Sequence, residues 1–347
     1  MPSAVELVEG LTDELDLCIL AFLRLKSGQL FPACPPLSAF IRLYICINHT
    51  IMTRKYIYIY KLYNIPADCA MRSNHRNLCK MIGMGCIITL TTDFGQEDGY
   101  AGVMKGVILS IAPATTLIDL THNIAPQDVF GAALMLERSY RYFPNGTIHL
   151  VVVDPGVGTK RRMLAGRIGE HFFVGPDNGF ISLILQKLKD EDQEFYSLEE
   201  KKYWLPFVSN VFHGRDIFAP VAAYLSLGVP LEAFGKKIFD PTLIKIPAPQ
   251  VCDFGWKGEV IHIDHFGNLA TNIRQEHLAG LGSVRFVIGG REINSFVRAY
   301  GEGQPGELVA LIDSAGCLSF GVVNGNAQAE LRTHLGDSVE VYLLQDD

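Results

Sequence analysis

Two carboxylates stand where an open parallel sheet would present them to a ligand, at the carboxyl ends of apolar runs. Asp93 follows Ile87 to Thr92 and precedes Phe94-Gly95. It is placed to accept hydrogen bonds from a pair of ligand hydroxyls, or more plainly to cap the turn after it. Asp154 ends the run Thr147 to Val153 and opens Asp154-Pro155-Gly156-Val157-Gly158-Thr159-Lys160-Arg161-Arg162. A glycine-rich turn followed by basic residues could cradle phosphate, but the spacing is not that of a P-loop. The glycines point to backbone passing close to a ligand, with an ordinary tight loop as the alternative.

Four further turns carry polar chemistry. Phe212-His213-Gly214-Arg215-Asp216 sets a histidine between glycine and charge ahead of a helical pattern. Its imidazole could act as a base near neutral pH or be structural. Asp264-His265-Phe266-Gly267-Asn268 combines acid, aromatic and amide, a set able to recognise a base and an amine, or to form a plain β-turn. Asn324-Gly325-Asn326-Ala327 has the same ambiguity. In Gly175-Pro176-Asp177-Asn178-Gly179, Asp177 or Asn178 is expected to cap the helix that follows.

The elements that must hold these turns fall into two patterns. Ile87 to Thr92 reads as a strand. Tyr100, Val103, Met104, Val107, Ile108 and Ile111 share one helical face, and Thr116 to Leu120 is a short strand. Asp128 caps a helix with Val129, Ala132, Ala133, Leu136 and Tyr140 on one side, and Thr147 to Val153 reads as a strand buried on both faces. This alternation predicts an α/β domain on a parallel sheet over 85–245, with helices over Phe180 to Leu188 and after Asp216. After Pro247-Ala248-Pro249 come short strands over 259–263, 284–288, 291–293, 308–312, 317–322 and 338–344. Hairpin signals stand at Gly289-Gly290 and Ser314-Ala315-Gly316, so 250–347 is expected to be a smaller all-β barrel or sandwich.

Residues 1–84 read differently. Tyr56 to Leu62 alternates aromatic and β-branched residues, and Leu17 to Leu25 has a weak helical pattern. The expectation is a non-core extension, disordered or added by a start codon set too far upstream, against a genuine accessory segment.

Composition narrows the function classes. A net charge of -7 argues against a dedicated nucleic-acid surface. No apolar run is long enough for a membrane span, and the acidic start does not suit a secretory signal. None of the eight cysteines forms Cys-x-x-Cys, so no zinc site is expected, and reduced thiols in the cytoplasm are the favoured state. Residue chemistry alone thus describes an α/β ligand-binding protein with an acid–base site.

Taken together, TTDFG (91–95), YAGVMKGVI (100–108), FPNGTIHLVVVDPGVGTKRR (143–162), GPDNG (175–179), FHGRDIFAPVAA (212–223), DHFGNLATNI (264–273) and NGNA (324–327) resemble one family. It is the S-adenosylmethionine hydroxide adenosyltransferases, which form adenosine from S-adenosylmethionine and are related to fluorinase and chlorinase. The resemblance spans about 85–347 and does not reach 1–84. It implies a homotrimer with each site between the α/β domain of one subunit and the β domain of its neighbour. It assigns Asp154, Arg161 and His213 to water activation, a trio not kept as such in the halogenases. It gives Asp93 the ribose hydroxyls, Asp264 the methionine ammonium, Phe266 and Asn268 the adenine pocket, and Ser314 a further methionine contact. In Ile312 to Ser319 the chain departs from the family, where an acid commonly follows the Leu. The implied substrate is S-adenosyl-L-methionine, with no cofactor or metal. A halogenase or a non-catalytic adenosine-binding module are the competing expectations.

Overall fold

Residues 86–344 are described by a computed structural model of the chain. The expectations for 1–84, including the two patterns at 17–25 and 56–62, lie outside the described residues.

The first sheet has seven strands in the order β2-β1-β3-β5-β4-β6-β7. Its first half follows the predicted alternation. Strand β1 (Ile87–Thr92) leads to helix α1 (Tyr100–Ile111), β2 (Thr116–Thr121), helix α2 (Val129–Ser139) and β3 (Ile148–Val152). β1 lies parallel to both β2 and β3, and every residue of β3 is buried. Asp128 caps α2 by accepting from the Gly131 amide at 2.8 Å.

The second half corrects the expectation of a parallel sheet. β3 pairs parallel with β5 (His171–Pro176), but the pairings of β4 (Met163–Ile168) with β5 and with β6 (Gln193–Ser197), and of β6 with β7 (Lys237–Ile238), are antiparallel. Only Gly169 and Glu170 join β4 to β5, with Gly169 at φ 55°. Two residues can turn a hairpin, whereas a parallel return needs a crossover of about a dozen.

The predicted apolar face of α1 is also wider than the covered one. Met104 and Ile108 are fully buried, while Tyr100 and Val103 stay nearly half exposed. Tyr100 instead meets Phe94 and Phe212 edge-on, forming an aromatic corner at the end of β1. Helix α3 (Ser182–Lys187) falls inside its predicted span, and the segment after His213 is a π-turn (Gly214–Phe218) running into helix α4 (Ala219–Ser226), with Pro220 in its first turn.

The second sheet is antiparallel and curls towards a barrel, in the order β12-β11-β15-β9-β10-β14-β13 with β8 (Gln250–Cys252) added beside β9. Its strands are β9 (Gly255–Ile263), β10 (Leu269–Arg274), β11 (Val284–Ile288), β12 (Arg291–Ile293), β13 (Leu308–Ile312), β14 (Cys317–Val322) and β15 (Ser338–Leu343). Both hairpin signals are used: Gly289 and Gly290 take positive φ between β11 and β12, and Gly316 does so between β13 and β14.

A polar chain runs through the core of the first sheet. The Thr89 hydroxyl is 2.8 Å from His149 Nδ1, and His149 Nε2 is 3.3 Å from His171 Nδ1. Tyr140 stands edge-on to both rings. Burial, then the neighbouring His171, pushes His149 down to about 3. Between pH 6.5 and 3 the unfolded chain therefore binds a proton here that the folded chain refuses, so stability falls as pH falls. At pH 5 this loss is about 2 kcal/mol relative to pH 7. Urea denaturation at the two pH values should show it, and His149→Phe should flatten the slope.

Candidate active site

The sheet delivers Asp154 to the end of β3, and the loop after it folds back. Val157 N donates to Asp154 O at 3.2 Å, and the Thr159 amide and hydroxyl both donate to Gly156 O. Gly158 takes φ 78°, and a Cβ there would stand 2.6 Å from the Asn210 carbonyl oxygen. Glycine thus lets this loop lie directly on the segment leading to His213. Seven residues on from Asp154, Arg161 returns to it as a fork: Nε donates to Oδ1 at 2.6 Å and Nη2 donates to Oδ2. Both side chains are almost fully buried. Charged pairs of this bidentate kind combine strength with fixed orientation.

His213 completes the cluster from the other side of the sheet end. Its Nδ1 is 3.0 Å from Arg161 Nη2. Because a guanidinium only donates, Nδ1 is the acceptor, and the neutral ring carries its proton on Nε2. Burial first, then Arg161, lowers the His213 pKa from its ordinary 6.5, against opposing pulls from Asp154 and Asp216. The ring is therefore held neutral at pH 7. Arg161 also sits 5.5 Å from the centre of the Phe218 ring, and its Nη1 is buried with no hydrogen-bond partner among the described residues.

Asp216 secures the strand of backbone that carries His213. It is fully buried, accepts from the Ser209 amide at 2.7 Å, and takes Arg215 Nε and Nη2 at 2.6 and 3.0 Å. The charged neighbours of His213 noted in the sequence thus bind each other rather than the imidazole.

Asp93 is held at the end of β1 by residues 122–127. Gly95 N donates to His122 O at 2.8 Å, Ile124 N to Thr92 O at 3.3 Å, and Gln127 N to Asp93 Oδ2 at 2.8 Å. Among the described residues Asp93 Oδ1 takes no hydrogen bond. The capping reading of Asp93 thus accounts for one oxygen only.

The remaining predicted residues gather elsewhere. Asp264, Phe266, Asn268 and Ser314 line one cavity of about 490 Å³, together with Arg138 and Asp313. Asp264 Oδ1 accepts from the amides of Phe266 and Asn268, and Oδ2 accepts from Asn268 Nδ2, all at 2.9 Å. The plain β-turn is real, yet Phe266 remains 71% exposed, with its ring available to an outside group. Asn326 caps helix α5 (Ala327–Leu331) through the Ala329 amide and lies against Gly267, where any Cβ would clash at 2.2 Å. Among the described residues no hydrogen bond or ion pair joins Asp93, Asp154, Arg161 or His213 to this cavity.

One expectation fails: neither Asp177 nor Asn178 caps α3. Asp177 binds Arg162 Nε and the Thr242 amide, both at 2.8 Å, and Asn178 Nδ2 donates to Val153 O at 2.8 Å. Both are drawn sideways because β5 ends beside β3, next to Asp154. Sequence reasoning also missed Asp313 and Arg138. Asp313 stood beside Ser314 in a hairpin signal read only as a turn. Arg138 lies in the last turn of α2, a helix read for its apolar face. Among the described residues no group of three or more His, Cys, Asp or Glu is placed to hold a metal ion. No helix among them is long and apolar enough to cross a membrane.

An α/β sheet ending in an Arg-bridged Asp–His cluster, followed by a curled β sheet with a charged cavity, defines a two-part protein built to handle a polar ligand. The profile of the SAM hydroxide adenosyltransferase N-terminal domain matches residues 88–235, and that of its C-terminal domain matches 258–340. The chain belongs to the SAM hydroxide adenosyltransferase family. It is 38% identical over 262 residues to an (R)-S-adenosyl-L-methionine hydrolase of Salinispora tropica, covering 73% of this chain and 97% of that protein. It is 28% identical to a fluorinase of an Actinoplanes species, covering 67% of this chain and 90% of that one. A solved structure of an uncharacterized conserved protein from Thermotoga maritima matches with a TM-score of 0.68 at 36% identity, over 73% of this chain and 99% of that one.

The close approach at Gly158 gives a direct check. Gly158→Ala should destabilise the protein by more than about 1 kcal/mol, because alanine meets both a positive φ and the Asn210 carbonyl. Gly306→Ala, also at positive φ but with open space around its Cβ, should cost less in the same thermal melts.

Proposed function

We propose that this chain hydrolyses S-adenosyl-L-methionine to adenosine and L-methionine, by attack of an activated water on the ribose 5′ carbon. The observation that carries the reading is the Asp154–Arg161–His213 cluster, in a chain 38% identical to a protein named (R)-S-adenosyl-L-methionine hydrolase.

The chemistry suits the cluster. The water oxygen forms a bond to C5′ as the C5′–S bond breaks, its electron pair going to sulfur. The sulfonium leaves as a neutral thioether, so no general acid is needed. What the enzyme supplies is an oriented water and a place for its proton. Arg161 stays protonated and is no base. With Nη1 lacking a partner among the described residues, it is the donor available to orient water and favour its hydroxide character. The proton passes to a basic site beside Arg161, the Asp154 carboxylate or the His213 imidazole. Positive charge at sulfur is lost in the transition state, so carboxylates beside sulfur would stabilise the wrong state. Asp93 accordingly holds the ribose hydroxyls and Asp264 the ammonium, at the remote ends, with Phe266 and Asn268 on the adenine and Ser314 on the methionine part.

The two clusters belong to one site in a homotrimer, the trio of one subunit facing the cavity of the next. Their separation within the chain supports this, as do the exposed Phe207 and Val211 on the segment entering His213. A cytoplasmic location is part of the same proposal.

Asp154→Ala, Arg161→Ala and His213→Ala should each lower kcat by roughly 10²-fold or more with far smaller changes in KM; full turnover in Arg161→Ala would remove the trio from the mechanism. Because Arg161 depresses His213, NMR titration of the His213 ring should move to higher pH in Arg161→Ala. Mixing separately impaired His213→Ala and Asp264→Ala proteins should raise activity above that of either alone, since mixed trimers rebuild intact sites; no gain after verified subunit exchange would place each site within one subunit.

A further inference from the structure

The 490 Å³ cavity holds more charge chemistry than the predicted residues account for. Asp264 and Asp313 both line it, but their oxygens are not equally committed. Asp313 Oδ1 accepts from the amides of Ala315 and Cys317, and Oδ2 accepts from the Ser319 hydroxyl at 3.0 Å. Arg138 Nη2 stands 3.7 Å from that same Oδ2. Asp313 is thus spent on its own hairpin and on Arg138. Asp264 takes two bonds on Oδ1 and one on Oδ2, leaving Oδ2 room for one more donor.

Arg138 is in the opposite condition. It comes from α2, on the α/β side, and reaches into a cavity otherwise lined by the β sheet and its turns. Four-fifths of its side chain is buried. Its contacts there are long: 3.7 Å to Asp313 and 3.8 Å from Nη2 to the Cys317 sulfur. Burial, then Asp313, raises the Cys317 pKa, so that partner is a neutral thiol and a weak acceptor. Nε is buried with no hydrogen-bond partner among the described residues. A guanidinium with five donors, largely desolvated and so thinly satisfied, is shaped to receive a planar carboxylate through two parallel bonds. The other cation on the lining, Arg298, is 93% exposed and already paired with Glu302 at 3.1 Å, so it belongs to the mouth.

We propose that Arg138 is the receptor for the α-carboxylate of the ligand's amino-acid end, opposite the ammonium site at Asp264. This rests on the proposed substrate but deepens it: selectivity for a zwitterionic amino-acid tail over a bare amine resides in a residue of α2. The cavity then reads a tail of fixed polarity, carboxylate towards the α/β side and ammonium towards the turn at 264–268.

The test compares two ligands that differ only in this carboxylate, S-adenosylmethionine and its decarboxylated analogue, by calorimetric binding to full-length protein with the turnover-impairing His213→Ala change. The parent should favour S-adenosylmethionine by roughly ten- to hundred-fold, the range of charged hydrogen bonds. Adding Arg138→Met should erase most of that preference, and Arg138→Lys should restore part of it; affinity for the analogue should move less than threefold in either. Preference surviving in a folded Arg138→Met protein overturns the proposal, as does preference lost in Arg298→Ala instead. Absence of any preference in the parent overturns it as well. Failure of the wild-type chain to consume S-adenosylmethionine would strike the proposed reaction, which this binding comparison does not measure.

Discussion

The fork from Arg161 to Asp154 is the interaction around which the α/β half is arranged. It closes the loop 154–161 and holds Nη2, which also donates to Asp154, against His213 Nδ1. Two nearly buried charges must satisfy each other, since removing one partner of such a pair costs about 3–5 kcal/mol. The surrounding chain serves that closure. Gly158 permits contact with the Asn210 carbonyl, Asn178 ties the end of β5 to Val153, and Asp216 anchors the turn that carries His213. Burial, and after it the same positive charge that orders the cluster, keeps the imidazole neutral.

The β half solves a different problem. Its cavity needs charged groups whose remaining hydrogen-bonding capacity faces inward, and short turns provide them. Asp264 consumes most of its lone pairs on its own turn, so its position is fixed while one acceptor site stays open. Gly321 allows both Tyr300 and Asn268 to crowd the backbone there, where a Cβ would meet them at 2.5 and 2.6 Å.

Much of this was legible in the sequence because local rules and fold agreed. β1, α1, β2, α2 and β3 follow from period and capping, and both glycine hairpins form where their residues demand positive φ. The trio meets in space although its members lie 59 residues apart, His213 being far from Asp154 in sequence. What escaped has physical causes. The antiparallel half of the first sheet hangs on a two-residue turn, Gly169-Glu170, in a stretch lacking clear alternation. Asp177 and Asn178 looked like caps, but a neighbouring strand end offered them better partners. Arg138 carried no local signal, because its significance arises only where α2 meets the second sheet.

The central claim is that water held by this cluster attacks C5′. Full-length protein should be incubated with S-adenosylmethionine in ¹⁸O-labelled water, with and without chloride, and the products identified by mass spectrometry. The account predicts methionine and adenosine bearing one ¹⁸O at the 5′ position, whether or not chloride is present. Unlabelled adenosine, a 5′-chlorinated nucleoside, or intact substrate bound to folded protein would contradict it.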